Sequence, residues 1–418
     1  MRGRPLGRHR SPSPLIRRRT VAAVPEVARS CPQGPHPGPA PAQEPPLPPH
    51  QASTKPQASG HNSVETGALL GNGKQALSLV ACALRDAGVH TVLAPRYSCE
   101  TMLTPFELEG MHLRLVEVGD DLLLDPTELA HALDQEPGAA VLHCETYGAQ
   151  ASPSLTRLLR QARRAASPVI LDATHSLLER PELLATSPAL PAGPWQVALA
   201  STRKLLPVPD GAVLAWCDGP ANAGLHQLAR TATGRGADVT IASLGQQLFS
   251  AQTRLARTLA SRTVLDTGAS AHLSPQAQQG RLEVCRLAEA HEEAIERAME
   301  PRAASALTRR VLAGAGSYVE RRGCSATLRH ALAQLLQARP DHLQLLPSPS
   351  AGCVALRGQA DAVDRLRTAL SEAALWGPVT WDRPEGRLDP RPWPAVVTLP
   401  TDQSERTGEI LALVRACL

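Results

Sequence analysis

LASTRKLLPVPDG, Leu199–Gly211, closes an apolar run with two hydroxyls and a lysine. The chain has only three lysines, Lys55, Lys74 and Lys204, against forty arginines. The apolar run reads as a buried strand, which puts Ser201, Thr202 and Lys204 at or just past its end. A lysine in a desolvated strand-end site has a lowered pKa and can condense with an aldehyde, which a guanidinium cannot do. A solvated loop lysine is the plainer alternative.

Outward from this stretch, short apolar runs alternate with segments of helical spacing. Strands are expected at His90–Ala94, Leu113–Val118, Ala139–Cys144, Pro168–Leu171, Trp195–Ala200 and Ala212–Trp216. Between them lie amphipathic segments such as Pro126–Leu133 and Leu155–Ala166. This alternation predicts an α/β domain, α/β/α in layers, with a mainly parallel sheet and its ligands beyond the carboxyl ends of the strands. Residues 221–345 read as mostly helical, for example Arg281–Arg310 and Cys324–Leu336. From Ala351 onward strand and helix mix again, which predicts a smaller α+β C-terminal domain. The expected division is a disordered tail over 1–60, a large domain over 61–300 and a small one over 301–418.

Composition limits the function classes. Residues 1–60 hold fourteen of the 38 prolines and a net charge of +7, so they cannot bury enough apolar surface to fold. The remainder carries −3, so no basic body for nucleic acid is expected. Nine scattered cysteines without CxxC pairs suit a reducing cytoplasm. No apolar run reaches the roughly 20 residues of a membrane span, and no signal peptide is visible.

Four strand ends carry candidate chemistry. GNGKQAL, 71–77, places glycines before a helix, where free N–H groups can face an anion. A simple turn and cap would look the same. VILDATHS, 169–176, puts Asp172 at a buried strand end and His175 three residues on. Such a carboxylate suits a cationic ring nitrogen, or serves only as a helix cap. The third is Ser201 with Lys204. The fourth is the pair APRYSCET, 94–101, and HCETYG, 143–148, which hold two of the three tyrosines, Tyr97 and Tyr147. Their rings can stack on a planar cofactor or pack in the core. A phosphate, a pyridinium nitrogen and an aldehyde are together the reactive groups of pyridoxal phosphate.

From about residue 66 onward the sequence resembles the fold-type I pyridoxal-phosphate enzymes, and within them the DegT/DnrJ-type sugar aminotransferases. GNGKQAL resembles the family's SGTxAL turn, LHCETYGAQ its HxYG segment, LDATHS its D-A-A-[QH]-S, and STRK its S-x-x-K. The resemblance implies that Lys204 forms the Schiff base and acts as general base. It implies that Asp172 holds the pyridine nitrogen and His175 the phenolic oxygen. Gly73, Lys74 and Ser201 would bind the phosphate. Cys99 stands where relatives stack an aromatic on the ring, with Tyr97 two residues earlier as the substitute. The implied partners are an amino donor such as glutamate and a keto acceptor, with nucleotide-linked keto sugars among the candidates, and the implied assembly is a homodimer. Other pyridoxal-phosphate reactions on this fold stay open (lyase, decarboxylase, epimerase, or desulfurase through Cys99), as does a non-catalytic scaffold or regulator using its Arg-rich tail.

Overall fold

The computed structural model describes residues 66–418 except 186, 261–272, 315–320, 338–341, 379, 382, 384–390 and 402. The tail expected over 1–60 lies outside the described residues.

The six expected strands form, with shifts of one or two residues at their ends. They are joined by a seventh that sequence pattern did not reveal. This first strand, β1 (Thr66–Leu70), leads to α1 (Gly73–Asp86), β2 (Thr91–Pro95), α2 (Glu100–Leu108), β3 (His112–Val116) and α3 (Pro126–Gln135). Then come β4 (Ala140–Cys144), α4 (Pro153–Arg164), β5 (Val169–Asp172), β6 (Val197–Ser201), β7 (Ala212–Trp216) and α5 (Leu225–Gly234). The sheet order is β1-β7-β6-β5-β4-β2-β3. Every pair from β3 to β6 is parallel, and β7 runs antiparallel to both β6 and β1.

Strict alternation along the strands splits the core in two. Val141, Val169, Leu171, Ala198, Val213 and Ala215 face one side, where Leu129 of α3 and Leu155 and Leu159 of α4 cover them. Leu142, Ile170, Val197, Leu199, Leu214 and Trp216 face the other, under α1, α2 and α5. Both faces are covered, so strands read as continuous apolar runs rather than alternating ones. Each fully buried Leu, Val or Ile contributes about 1.5–3 kcal/mol, and aliphatics supply nearly all of it in this aromatic-poor chain. Asp125 and Ser152 cap α3 and α4, each followed by a proline at the first helical position.

Two long helices follow, α6 (Val239–Ala260) and α7 (Pro275–Arg297), packed through Ala251, Leu255, Val284 and Leu287. The helix expected over Arg281–Arg310 is two: α7 ends at Arg297, and α8 spans Ala306–Ala313. The break arises because Ala303 bridges to Leu70 of β1, and Ser305 caps α8. Then α9 (Arg321–Leu336), β8 (Leu343–Leu345), β9 (Val354–Gly358), α10 (Ala360–Glu372), β10 (Val396–Leu399) and α11 (Thr407–Cys417) make the smaller α+β body. Its antiparallel sheet, ordered β10-β9-β8, has its own core from Leu328 to Val414. Leu312 packs in the core of the large sheet, and Ser305 and Thr308 bond to Asp210.

Candidate active site

Asp172 is the last residue of β5 and Ser201 the last of β6, on neighbouring parallel strands. Their ends are tied together. Ala173 N–H donates to Leu199 O at 2.8 Å, and Ser201 N–H to Thr174 Oγ1 at 3.0 Å. Asp172 accepts from Thr174 N–H at 2.8 Å and pairs with no cation among the described residues. Burial raises its carboxyl above the usual range, as expected of an acid lacking a cationic partner.

Gly73 opens α1 directly against Ser201. A Cβ built on Gly73 would lie 3.4 Å from Ser201 Cβ and 3.9 Å from its Oγ. The Asn72 side chain caps Gln75 N–H at 3.0 Å, so the cap leaves the Gly73 and Lys74 amides open. Lys74 does not bring its charge to this cradle. Its Nζ donates to Glu296 O of α7 at 2.7 Å, and burial lowers its pKa.

Lys204 follows β6 on a 3-10 turn, with a quarter of its side chain exposed. Burial lowers its pKa first and the Arg203 charge adds to this, while Glu292 of α7, 3.5 Å away, opposes them. The PVP segment that follows is a fastening. Pro209 O would lie 2.2 Å from a Cβ on Gly245, so α6 packs directly on this backbone. Asp210 accepts from Ser305 N–H at 2.9 Å and from the hydroxyls of Ser305 and Thr308. Gly211 sits at φ +112°, where a Cβ would strike Thr202 Oγ1, and its N–H donates to Gly71 O. The lysine turn is thus bolted to α6, α8 and the start of α1.

His175 lies in the turn after β5. Its Nδ1 accepts from Tyr147 N–H at 3.0 Å, which leaves Nε2 as the protonated nitrogen. Tyr147 reaches this position only by entering the left-handed region at φ 50°, a conformation that costs a side-chain-bearing residue on the order of 1 kcal/mol. Two serines of the smaller body hold both turns: Ser348 Oγ donates to Tyr147 O and Ser350 Oγ to His175 O, each at 2.8 Å.

The ring-stacking candidates separate. Tyr97 is fully buried, hydrogen-bonded to the Tyr147 hydroxyl at 2.7 Å and packed on Trp381 and Trp393 at 5.2 Å, so its ring is enclosed by protein. Cys99 is half-buried at the N-terminal end of α2, with its Sγ 2.8 Å from the Thr101 hydroxyl. Trp381, from the smaller body, stacks on His175 at 5.6 Å and 18°. The sequence reading missed Trp381, Ser348, Ser350 and Glu292. Each arrives from a distant segment, and only Trp381, one of ten aromatics in the chain, offered a compositional signal.

Burial lowers His143 and His175 to about 3, with the Arg180 charge adding for the first and Lys204 for the second. Both imidazoles stay neutral when folded, whereas in the unfolded chain they take up protons near pH 6.5. Their contribution is therefore complete above pH 6.5 and is lost as pH falls towards 3, at about 1.4 kcal/mol per pH unit for each. The urea midpoint is expected to drop between pH 7 and pH 5. A flat midpoint would show that both rings accept a proton in the folded state.

No protein-family model matches the chain, and no curated protein matches it significantly. Solved structures do. A Streptococcus pneumoniae protein assigned as a sugar aminotransferase, in its PMP form, aligns at TM-score 0.53 and 10% identity over 84% of this chain and 88% of that one. The Helicobacter pylori aminotransferase PseC, involved in the biosynthesis of pseudoaminic acid, aligns at TM-score 0.50 and 10% identity over 84% and 86%. A Brucella abortus aminotransferase described as DegT DnrJ EryC1 StrS aligns at 0.47 and 16% identity over 84% and 85%. The chain has the three-layer α/β/α fold with a smaller α+β body that it shares with the first two.

Proposed function

We propose that the protein is a pyridoxal-phosphate-dependent aminotransferase. The observation that carries this is the convergence of Asp172, His175, Ser201 and Lys204 at the carboxyl ends of β5 and β6, beside the open start of α1. The donor set suits the cofactor at each point. Ser201 Oγ with the Gly73 and Lys74 amides makes a cradle for a phosphate at a helix N-terminus. The uncompensated Asp172 carboxylate asks for a cation and would hold a proton on the ring nitrogen. His175 Nε2–H would donate to the phenolic oxygen.

Pyridoxal phosphate, when bound, supplies an aldehyde that carries the amino group and a ring that accepts electrons. Lys204 would take and return the proton at the substrate's α carbon, and burial favours the neutral amine this needs. Cys99 and Tyr147 would border the ring, and Trp381 brings an aromatic face where Cys99 has none. The amino donor is read as glutamate and the acceptor as a keto compound, with a nucleotide-linked keto sugar as the first class to try. We further infer a cytoplasmic homodimer. The seven described cysteines form no disulfide with one another, and no helix among the described residues is long and apolar enough to cross a membrane.

The test is direct. With pyridoxal phosphate, the purified protein should develop a visible absorption band, and borohydride should fix the cofactor to Lys204. Glutamate should then release one equivalent of 2-oxoglutarate per subunit, and labelled nitrogen should pass to a keto acceptor. Loss of the band with another amino acid, and no keto acid formed, would move the protein to a different reaction class. Gly73→Ala fills the cradle with a methyl group 3.4 Å from Ser201 Cβ. It should weaken cofactor binding roughly tenfold or more, the worth of one charge-assisted hydrogen bond, with little change in thermal stability.

A further inference from the structure

We propose that Glu292 is the positioning residue of Lys204: its carboxylate, gripped by Arg203, holds the amine beyond β6 and controls its availability to a carbonyl. The proposal rests on the reading of Lys204 given above. Arg203 Nη1 and Nη2 donate to both Glu292 oxygens at 2.5 and 2.9 Å, a bidentate pair, and Lys204 Nζ shares Oε1 at 3.5 Å. The Arg203 side chain is only 12% exposed, and its Nε is buried with no partner, so the guanidinium depends on Glu292. Helix α7 is itself fixed over this turn. His291, the residue before Glu292, faces the Pro209 carbonyl, and one turn later the Glu296 carbonyl takes the Lys74 ammonium. Both described lysines are therefore governed by one stripe of one helix.

The titratable groups facing Lys204 come from four elements. They are Arg203 on its own turn, Glu292 and His291 on α7, Cys99 at the start of α2 and His175 after β5. Among them Glu292 is the anion that hydrogen-bonds the amine. Burial alone would raise the Glu292 carboxyl, but Arg203 and Lys204 outweigh it and keep the group ionised. Without Glu292, the amine faces Arg203 unopposed and gives up its proton at lower pH. With it, the ammonium is retained and aimed.

The test reads the amine without the cofactor. The full chain, cleared of bound aldehyde with hydroxylamine, is labelled with trinitrobenzenesulfonate across pH 6–10, and peptide mass spectrometry follows Lys204 with Lys74 as internal reference. Glu292→Gln should move the half-labelling pH of Lys204 down by about one unit or more, the effect of removing an opposite charge at this range. Glu292→Asp, which keeps the charge, should restore most of the wild-type profile. An unchanged profile in Glu292→Gln overturns the proposal, as does an upward move, the signature of a site merely opened to water. Should Glu292→Gln fail to fold, Arg203→Gln and the double variant complete the comparison, because neither leaves Arg203 buried without a partner. Adding Glu292→Gln to Arg203→Gln must again lower the midpoint. If Lys204 fixes no pyridoxal phosphate yet shows these shifts, the aminotransferase reading fails and the role of Glu292 stands.

Discussion

Lys204→Ala is expected to yield a folded protein that no longer fixes pyridoxal phosphate under borohydride and that loses transamination by at least about 10²–10⁴-fold, the usual contribution of a placed acid–base group. The fold should survive because the turn is secured by other groups. Asp210 binds Ser305 and Thr308, Thr202 Oγ1 donates to Asp210 O, and Gly211 N–H donates to Gly71 O. None of these uses the lysine side chain. Removing the Lys204 amine also frees Glu292 from one of two cations, with Arg203 still bidentate on it. Circular dichroism and the urea midpoint should stay near wild type. Turnover that survived Lys204→Ala would show that a group other than this amine moves the proton.

Arg180→Met is expected to be the most destabilising single change near the site. Glu145 is almost completely buried, with 1% of its side chain exposed, and Arg180 meets both its oxygens. Ser176 Oγ also donates to it. Removing the guanidinium strands a buried carboxylate, at a cost of about 3–5 kcal/mol. That is a large part of the 5–15 kcal/mol by which folded proteins are typically stable. A thermal midpoint lower by on the order of 10 °C should follow. Glu145→Gln in the same chain should recover much of the loss, because a neutral amide buries more cheaply than a carboxylate. Glu145 also begins the turn that carries Tyr147, and its N–H donates to Asp172 O at 3.0 Å. Cofactor affinity should therefore fall together with stability. A loss of stability with unchanged affinity would separate the ion pair from the site.

The strands of the large sheet were legible because both of its faces are buried. Their apolar runs are continuous and end on polar residues that matter: Asp172 after VIL, Ser201 after VALA. β1 escaped notice because TGALL is short and begins with Thr and Gly, and its place is fixed by pairing with β7, nearly 150 residues away. The supposed long helix over Arg281–Arg310 failed for a similar reason. Pro301 interrupts its helical pattern, and the bridge from Ala303 to Leu70 holds the chain out of the helix there. The Lys74 ammonium was assigned to a phosphate by position in a motif, while the nearby Glu296 carbonyl is visible only in three dimensions.

By itself the sequence determined the α/β/α class, the strand order along the chain and the residue types at the strand ends. These depend on hydrophobic period and on what a buried run can end with, both local properties. Tertiary structure alone decided which of those residues meet. It set Gly73 against Ser201, turned Tyr147 to fix the His175 tautomer, enclosed Tyr97, and brought Trp381 and Glu292 to the site from the smaller body and from α7. Those contacts join residues dozens to hundreds apart in the chain. Their energies come from burial and charge pairing, which no local stretch of sequence contains.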